Sequence, residues 1–227
     1  MGKLYGIGVG PGDAELLTLK GARLIRECDV IVLPRSGKKV NVAYEIARKA
    51  VPEAETKEIL EVDMPMTRDQ NILERAHKQA AETVIGHIDA GRTVVFLTLG
   101  DPSIYSTYCY VHNLVKDAGR DTEIVPGVPS FCAVSAKLGE ALTEASEGLH
   151  IIPASYEGLE DALNLEGTKV LMKSGKAIGE VKELLQKRGE TVRMVERCGM
   201  EGERVYDSLD EIEENASYFS VLVVKKR

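Results

Sequence analysis

The sequence predicts an α/β fold made of two domains. Short runs of β-branched residues and leucine alternate with amphipathic stretches from one end of the chain to the other, which is the pattern of strands interleaved with helices. The length of 227 residues fits one large domain or two small ones, and a change of sequence texture near residue 118 favours two. We expect α/β domains of similar size at residues 1–118 and 119–227, with a ligand cleft between them.

Hydrophobic spacing predicts the N-terminal elements. Continuous apolar runs indicate strands at residues 4–9, 30–33 and 93–98. Between these strands, apolar residues recur at i, i+3 and i+4, which predicts amphipathic helices. A further helix is expected to begin at Asp101, because this N-cap residue precedes a proline and a long apolar face that ends at Gly119.

The C-terminal half shows the same alternation after a stretch rich in proline and glycine at residues 125–129. We expect strands at 149–152, 169–173, 191–196 and 218–224, and helices at 130–138, 177–188 and 208–215.

Charge and composition exclude several classes of protein. The 29 Lys and Arg against 36 Asp and Glu give a net charge of −7, so the chain lacks the attraction to phosphate backbones on which nucleic-acid-binding proteins rely. The longest apolar runs are far shorter than the ~20 residues that span a bilayer. The four cysteines lie far apart, and we expect no signal peptide. A cytoplasmic protein with free thiols is therefore expected, with neither nucleic acid nor a membrane as partner.

A glycine cluster directly after the first strand is the first candidate ligand loop. Gly6, Gly8, Gly10 and Gly12 permit positive φ angles and close approach of a ligand to the backbone. Their spacing matches neither G-x-G-x-x-G nor the phosphate loop G-x-x-x-x-G-K-[ST]. It fits the looser loop of Rossmann methyltransferases, but the acidic residue which these enzymes need at the end of strand two is absent, because Pro34 stands there. The competing interpretation is a tight turn without a ligand.

Two other loops are candidates as well. Residues 99–108 follow a buried strand and carry a dense group of hydroxyl side chains, and the carboxyl ends of strands are where open α/β sheets bind ligands. The competing interpretation is that Asp101 only caps a helix. Residues 125–130 also fit a stiff connector between domains. No metal site is expected, because the four histidines show no ligand spacing, and no G-x-S-x-G nucleophile elbow is present.

Taken together, these motifs resemble those of a known family. The glycine loop with Leu16-Leu17-Thr18-Leu19-Lys20, then Gly100-Asp101-Pro102, then Val125-Pro126-Gly127 follow one another over the whole chain, as in the tetrapyrrole (corrin and porphyrin) methyltransferases. Within that family, segments 98–108 and 125–131 are most similar to the enzymes that methylate C-20 of precorrin-2 or of cobalt-factor II.

The resemblance implies two α/β domains with a cofactor cleft between them, distinct from the usual Rossmann methyltransferase. It further implies a homodimer, S-adenosylmethionine as co-substrate, and methyl transfer to the C-20 meso carbon of precorrin-2 or cobalt-factor II in cobalamin biosynthesis. The implied cofactor contacts are Pro11, Leu99, Gly100, Asp101, Ile104, Ser106, Thr107, Pro129, Ser130 and Met172.

A tetrapyrrole rimmed with carboxylates requires local positive charge on a chain whose net charge is −7. We expect Arg35, Lys38 and Lys39 to bind the substrate, with the acidic excess on outer helices such as 208–215. In the related uroporphyrinogen-III methyltransferases, strand two ends in an aspartate proposed as proton acceptor. Pro34 occupies that place here, so no catalytic residue is assigned.

Several alternatives stay open. They are another methyltransferase of the same fold (another precorrin methylase, diphthine synthase or a ribosomal RNA 2′-O-methyltransferase) and a non-enzymatic protein that binds S-adenosylmethionine or a tetrapyrrole. The net charge disfavours RNA as substrate, and a sensor would need an output domain. Whether the acceptor is metal-free or holds cobalt is also open.

Overall fold

The computed structural model describes residues 2–35, 41–155 and 157–226. The chain forms two units, Met1–Pro129 and Ser130–Arg227, and each contains its own sheet with helices. The predicted two-domain α/β class is confirmed. The division lies after Pro129 rather than near residue 118, because the strand at Thr122–Val125 pairs in parallel with the first strand of the chain.

The first unit is built on a five-stranded sheet in which every pair of neighbours is parallel. All five strands therefore end at the same edge of the sheet. In order across the sheet, the strands are β3 (Glu58–Asp63), β2 (Val30–Arg35), β4 (Thr93–Thr98), β1 (Lys3–Gly8) and β5 (Thr122–Val125).

Helices cover both faces of this sheet. Successive residues of a strand point to opposite faces, and accordingly Leu97 of β4 belongs to one hydrophobic cluster whereas Phe96 belongs to another. The first cluster includes buried residues of α1 and α2, and the second includes those of α3 and α4. Burial on both faces explains why β4 reads as a continuous apolar run. The helices are α1 (Leu19–Glu27), α2 (Val42–Ala50), α3 (Gln70–Asp89) and α4 (Tyr108–Asp117).

The second unit contains a mixed sheet with a separate core. The strands are, across the sheet, β6 (Leu149–Pro153), β7 (Thr168–Met172), β10 (Ser220–Lys225), β8 (Thr191–Glu196) and β9 (Arg204–Tyr206). β6 and β7 are parallel, and the other pairs are antiparallel. The helices are α5 (Ser130–Leu138), α6 (Leu159–Leu163) and α7 (Ile178–Gln186). Leu163, Leu171, Met194 and Leu222 are among the buried residues of this core.

The helix predicted at residues 208–215 is wrong, because this segment forms turns. Its side chains bond the local backbone instead: Glu211 accepts from the Asp207 N–H at 3.1 Å and from the Ser208 hydroxyl at 3.0 Å. Such local bonds offer the backbone an alternative to a helix. Ile212 is nevertheless buried in the core of the second unit.

Two general features concern the whole described chain. Its helices, over residues 2–35, 41–155 and 157–226, include none that is long and apolar enough to cross a bilayer. Cys28, Cys109, Cys132 and Cys198 are free thiols.

Candidate functional site

The loops that follow β1, β4 and β5 meet at the carboxyl edge of the first sheet. The Gly100 N–H donates to the Gly10 carbonyl at 2.8 Å, and the Gly10 N–H donates to the Gly100 carbonyl at 3.3 Å. The Gly127 N–H donates to the Asp101 carboxylate at 2.9 Å. Ligands of open α/β sheets bind at this edge. We call the three segments together the loop junction, and they are residues 9–12, 99–107 and 126–129.

The glycines of the first loop are required by the packing of the chain on itself. A Cβ at Gly6 would lie 2.1 Å from the buried ring of Tyr108, and a Cβ at Gly8 would lie 2.5 Å from the Gly100 carbonyl oxygen. Gly10 has a φ of 79°, in the left-handed region that favours glycine. The cluster therefore holds backbone segments close together, and its glycines alone do not require a ligand.

Asp101 does not begin a helix, so the predicted cap is wrong. Helix α4 begins at Tyr108, and the residues between are turns. The Asp101 carboxylate accepts from the Ser103 N–H at 2.8 Å and from the Ser103 hydroxyl through Oδ1, while Oδ2 accepts from the Gly127 N–H. These local bonds compete with helix formation. The result is that Asp101 joins the loop after β4 to the loop after β5.

Ser106 also bonds within the protein. Its Oγ lies 3.0 Å from the Oγ1 of Thr98, and it accepts from the Tyr108 N–H at 3.2 Å. The side chain of Thr107, which directly precedes α4, makes no capping hydrogen bond. Ser106 therefore anchors the start of α4 to the end of β4.

A strained residue lies in the middle of this loop. Tyr105 has a φ of 49° although it is not glycine, a conformation that costs of order 1–3 kcal/mol and is concentrated at functional sites. Its neighbour Ile104 is half-buried, as is Leu99 at the other end of the loop. Both side chains leave part of their apolar surface exposed.

Eight of the predicted cofactor residues lie in the loop junction, and one of them, Pro129, is the last residue of its third segment. Pro11 directly follows Gly10, and the other six lie in the loop after β4. Ser130 begins α5 and Met172 ends β7, both in the second unit, so their part in the site stays a prediction. The eight are Pro11, Leu99, Gly100, Asp101, Ile104, Ser106, Thr107 and Pro129.

Gly127 belongs to the junction as well, although the sequence predicted no role for it as a site residue. A Cβ at this position would lie 2.2 Å from the Gly100 carbonyl oxygen. The signal that could have identified it is its place between Pro126 and Pro129, in a stretch rich in proline and glycine. No spacing rule predicts that its N–H meets Asp101, 26 residues earlier.

The predicted substrate-binding arginine is paired with acidic side chains. The Nε and Nη2 atoms of Arg35 donate to Asp63 at 2.9 and 2.7 Å, and Nη1 lies 3.7 Å from Glu61. The hydrogen bonds to Asp63, and then its charge, raise the pKa of Arg35. Lys38 and Lys39 lie outside the described residues. The basic substrate patch therefore stays a prediction, and at Arg35 two acids balance its charge.

The residues of the loop junction offer mainly backbone groups and hydroxyl side chains. Asp101 is the one carboxylate among its residues, and both of its oxygens already accept hydrogen bonds. The Cys109 thiol lies 3.1 Å from the Pro102 carbonyl oxygen, and burial raises its pKa. Across the part of the chain that the structure describes, no group of three His, Cys, Asp or Glu side chains could hold a metal ion.

Comparison with known proteins gives a consistent answer. The family model of the tetrapyrrole (corrin/porphyrin) methylases matches residues 3–213. A probable cobalt-precorrin-2 C(20)-methyltransferase from Methanocaldococcus jannaschii is 36% identical, covering 99% of this chain and 96% of the relative. A cobalt-precorrin-2 C(20)-methyltransferase from Salmonella typhimurium is 30% identical, covering 100% and 97%.

The fold agrees with these sequence relatives. A uroporphyrin-III C-methyltransferase from Thermus thermophilus, solved in complex with S-adenyl homocysteine, superposes with a TM-score of 0.73 at 24% identity, over 98% of this chain and 97% of that one. The resemblance predicted from the motifs is thereby confirmed, and the chain belongs to the tetrapyrrole (corrin/porphyrin) methylases.

Proposed function

We propose that this methyltransferase moves a methyl group from S-adenosylmethionine to C-20 of precorrin-2 or its cobalt-containing counterpart, in cobalamin biosynthesis. Relatives with that activity in their names match nearly the full chain. The observation that carries the proposal is the loop junction, where the Gly10–Gly100 bridge and the bond from Gly127 to Asp101 hold together three segments that contain eight residues with expected cofactor contacts.

The residues of the junction fit a methyl donor of this kind. Half-buried Leu99 and Ile104 offer apolar contacts for a nucleoside or a thioether chain, and the backbone near Gly100 offers polar groups. Bound S-adenosylmethionine supplies an electrophilic sulfonium methyl group. The protein's task is to hold donor and acceptor in line, and such alignment can supply ~7–11 kcal/mol of the barrier reduction. A site without a free carboxylate is compatible with this chemistry.

Both acceptors remain candidates because the metal would belong to the substrate. The relatives from Methanocaldococcus jannaschii and Salmonella typhimurium are named for the cobalt form, whereas one from Sinorhizobium, 29% identical, is named for precorrin-2 itself. We propose the cobalt form as the better acceptor on the basis of the higher identities.

The test is incubation of the purified protein with methyl-labelled S-adenosylmethionine and either precorrin-2 or cobalt-factor II, followed by absorbance and label counting. Label should enter one macrocycle, and the product should carry it at C-20. The same reaction with a tetrapyrrole already methylated at C-20 is the control and should give no transfer. Absence of label in both acceptors, or label at another carbon, would refute the proposal.

We also propose that the active form is a cytoplasmic homodimer. The free thiols fit a reducing compartment. Exposed apolar side chains on one side of α4, Tyr110 and Leu114, are compatible with a partner surface. Sedimentation equilibrium should give twice the mass of one chain, and a monomer at micromolar concentration would contradict this.

A further inference from the structure

We propose that Asp101 is a positioning residue, which holds the loop after β5 against the loop after β4 and thereby shapes the donor site through Gly127. This inference rests on the proposed function, because it takes the loop junction as the place where S-adenosylmethionine binds. It differs from the role that the resemblance implies, in which Asp101 contacts the donor directly.

The carboxylate of Asp101 already accepts most of the hydrogen bonds it can form from groups within the protein. Each carboxylate oxygen can accept about two hydrogen bonds. Oδ1 accepts both from the Ser103 N–H, at 2.8 Å, and from the Ser103 hydroxyl. Oδ2 accepts from the Gly127 N–H at 2.9 Å. Three of roughly four acceptor positions are therefore used before any ligand is considered.

Gly127 has little else to hold it in place. The last pair between β1 and β5 is Ile7 with Val125, so Gly127 lies beyond the end of the strand ladder. As a glycine, it has no side chain with which to pack. Its backbone nevertheless approaches Gly100 and Gly8 so closely that a Cβ would lie 2.2 Å from the Gly100 carbonyl oxygen and 2.7 Å from the Gly8 carbonyl carbon. The bond to Asp101 fixes this close approach.

Asparagine cannot replace Asp101 in this role. The Ser103 N–H donates to one carboxylate oxygen and the Gly127 N–H donates to the other, so both positions require an acceptor. An asparagine presents one acceptor oxygen and one NH₂ donor, and either orientation places a donor against a donor. The asparagine oxygen should stay with Ser103, because both the N–H and the hydroxyl of that residue donate to it. Asp101→Asn should therefore release the loop at Gly127 while keeping the size of the side chain.

Asp69 provides the matched control. Its Oδ1 accepts from the N–H groups of Asn71 and Ile72 at the start of α3, so it too is a carboxylate bonded to backbone amides. Aspartate and asparagine are equally good at a helix N-cap, and this position lies outside the loop junction. Asp69→Asn should leave loop exchange and donor affinity at the wild-type values.

The experiment measures two quantities for each variant of the full chain. Amide hydrogen exchange of ligand-free protein is followed by NMR, and affinity for S-adenosyl homocysteine by calorimetry. For Asp101→Asn we expect faster exchange at Gly127, unchanged exchange in β1 and β4, and affinity weaker by about tenfold or more, the factor for a lost hydrogen bond to a charged group. If Asp101→Asn does not fold, Asp101→Ser is measured in the same way.

Two other outcomes would overturn the inference. Weaker affinity with unchanged exchange at Gly127 would mean that Asp101 contacts the donor directly. Faster exchange with unchanged affinity would mean that the bond to Gly127 matters only for the fold. If the wild-type protein binds S-adenosyl homocysteine but methylates neither tetrapyrrole, the proposed function fails while the two measurements still decide the role of Asp101.

Discussion

Neighbouring glycines of the first loop are required for different physical reasons. Gly6 leaves room for the ring of Tyr108, Gly8 allows close approach of the Gly100 carbonyl, and Gly10 adopts a positive φ. From the sequence, the cluster was a candidate ligand loop because glycine permits all three. The contact between Gly6 and Tyr108 spans about a hundred residues of sequence, so no local pattern could distinguish a buried ring from a ligand.

Substitution of Gly6 by alanine should therefore destabilise the protein strongly, although it adds only one methyl group. Gly6→Ala places a Cβ 2.1 Å from the fully buried ring of Tyr108, and such overpacking costs ~1–3 kcal/mol or more. The free energy of unfolding, measured in urea, should fall by about 3 kcal/mol.

Gly86→Ala is the matched control. Gly86 lies inside α3, and a Cβ there would meet nothing within 4 Å. Because alanine favours a helix interior over glycine by ~1 kcal/mol, this variant should be more stable than the wild type. Equal changes in the free energy of unfolding for Gly6→Ala and Gly86→Ala would contradict the close packing at Gly6.

At the scale of elements, most strands and helices were predicted with ends within a few residues. The predicted strands at 93–98 and 191–196 and the helix at 130–138 are confirmed with the same ends. The exceptions have physical causes. The sequence predicted the start of α4 at Asp101, because an aspartate before a proline is typical of a helix N-cap. In the structure the Asp101 carboxylate accepts from Gly127 in a distant loop instead. β3 is a partly exposed edge strand that carries three acidic residues, Glu58, Glu61 and Asp63, and its weak apolar pattern concealed it.

A buried ion pair joins β7 to the turn before β8. Lys169 of β7 is fully buried, and its Nζ lies 3.1 Å from Glu190, which Arg188 also contacts at 2.8 Å. Glu190→Gln would leave the Lys169 ammonium buried without a charged partner. We expect the free energy of unfolding to fall by about 3–5 kcal/mol. Glu166→Gln, which removes the partner of exposed Lys226, should have almost no effect because solvent screens that pair.

The same pair predicts a dependence of stability on pH. Burial alone would raise the pKa of Glu190, but hydrogen bonds from Arg188 and Lys169 outweigh it, and the pKa is lowered. A carboxylate with a lower pKa in the folded chain adds stability above its unfolded pKa of about 4.3, and this is lost as the pH falls through the folded pKa. Below about pH 4.5, the free energy of unfolding of the Glu190→Gln variant should therefore depend less on pH than that of the wild type.

At the scale of the whole molecule, the net charge of −7 conflicts with a substrate rimmed by carboxylates. Arg35 supplies little net positive charge for such a substrate, because it donates to Asp63 and lies near Glu61. Residue-by-residue charge counting from sequence could not predict that pairing, since β3 was not predicted. Positive charge for the substrate would therefore come mainly from Lys38 and Lys39 or from other cations.

Charge reversal tests the basic patch. Reversing Arg35, Lys38 and Lys39 together should raise the acceptor KM at low salt, and the effect should shrink at 1 M salt, where the screening length falls to ~3 Å. Arg35→Glu alone should raise the acceptor KM less than the two lysine reversals do, because Glu61 and Asp63 already balance the charge of Arg35. Arg23→Glu, which breaks an exposed pair on α1, serves as the control. An unchanged KM for the triple variant would show that the patch does not meet the substrate.

The position of β1 has a consequence for synthesis of the chain on the ribosome. β1 lies between β4 and β5 in the sheet, and Lys3 pairs with Thr93 while Ile7 pairs with Val125. About ninety further residues must therefore be translated before the first neighbour of β1 exists, and another 28 before the second, since Leu4 pairs with Val94 and with Thr122. Contacts of such long sequence separation form slowly. The loop junction can assemble only after residue 127 has left the ribosome, so until then the nascent first unit cannot offer a complete site.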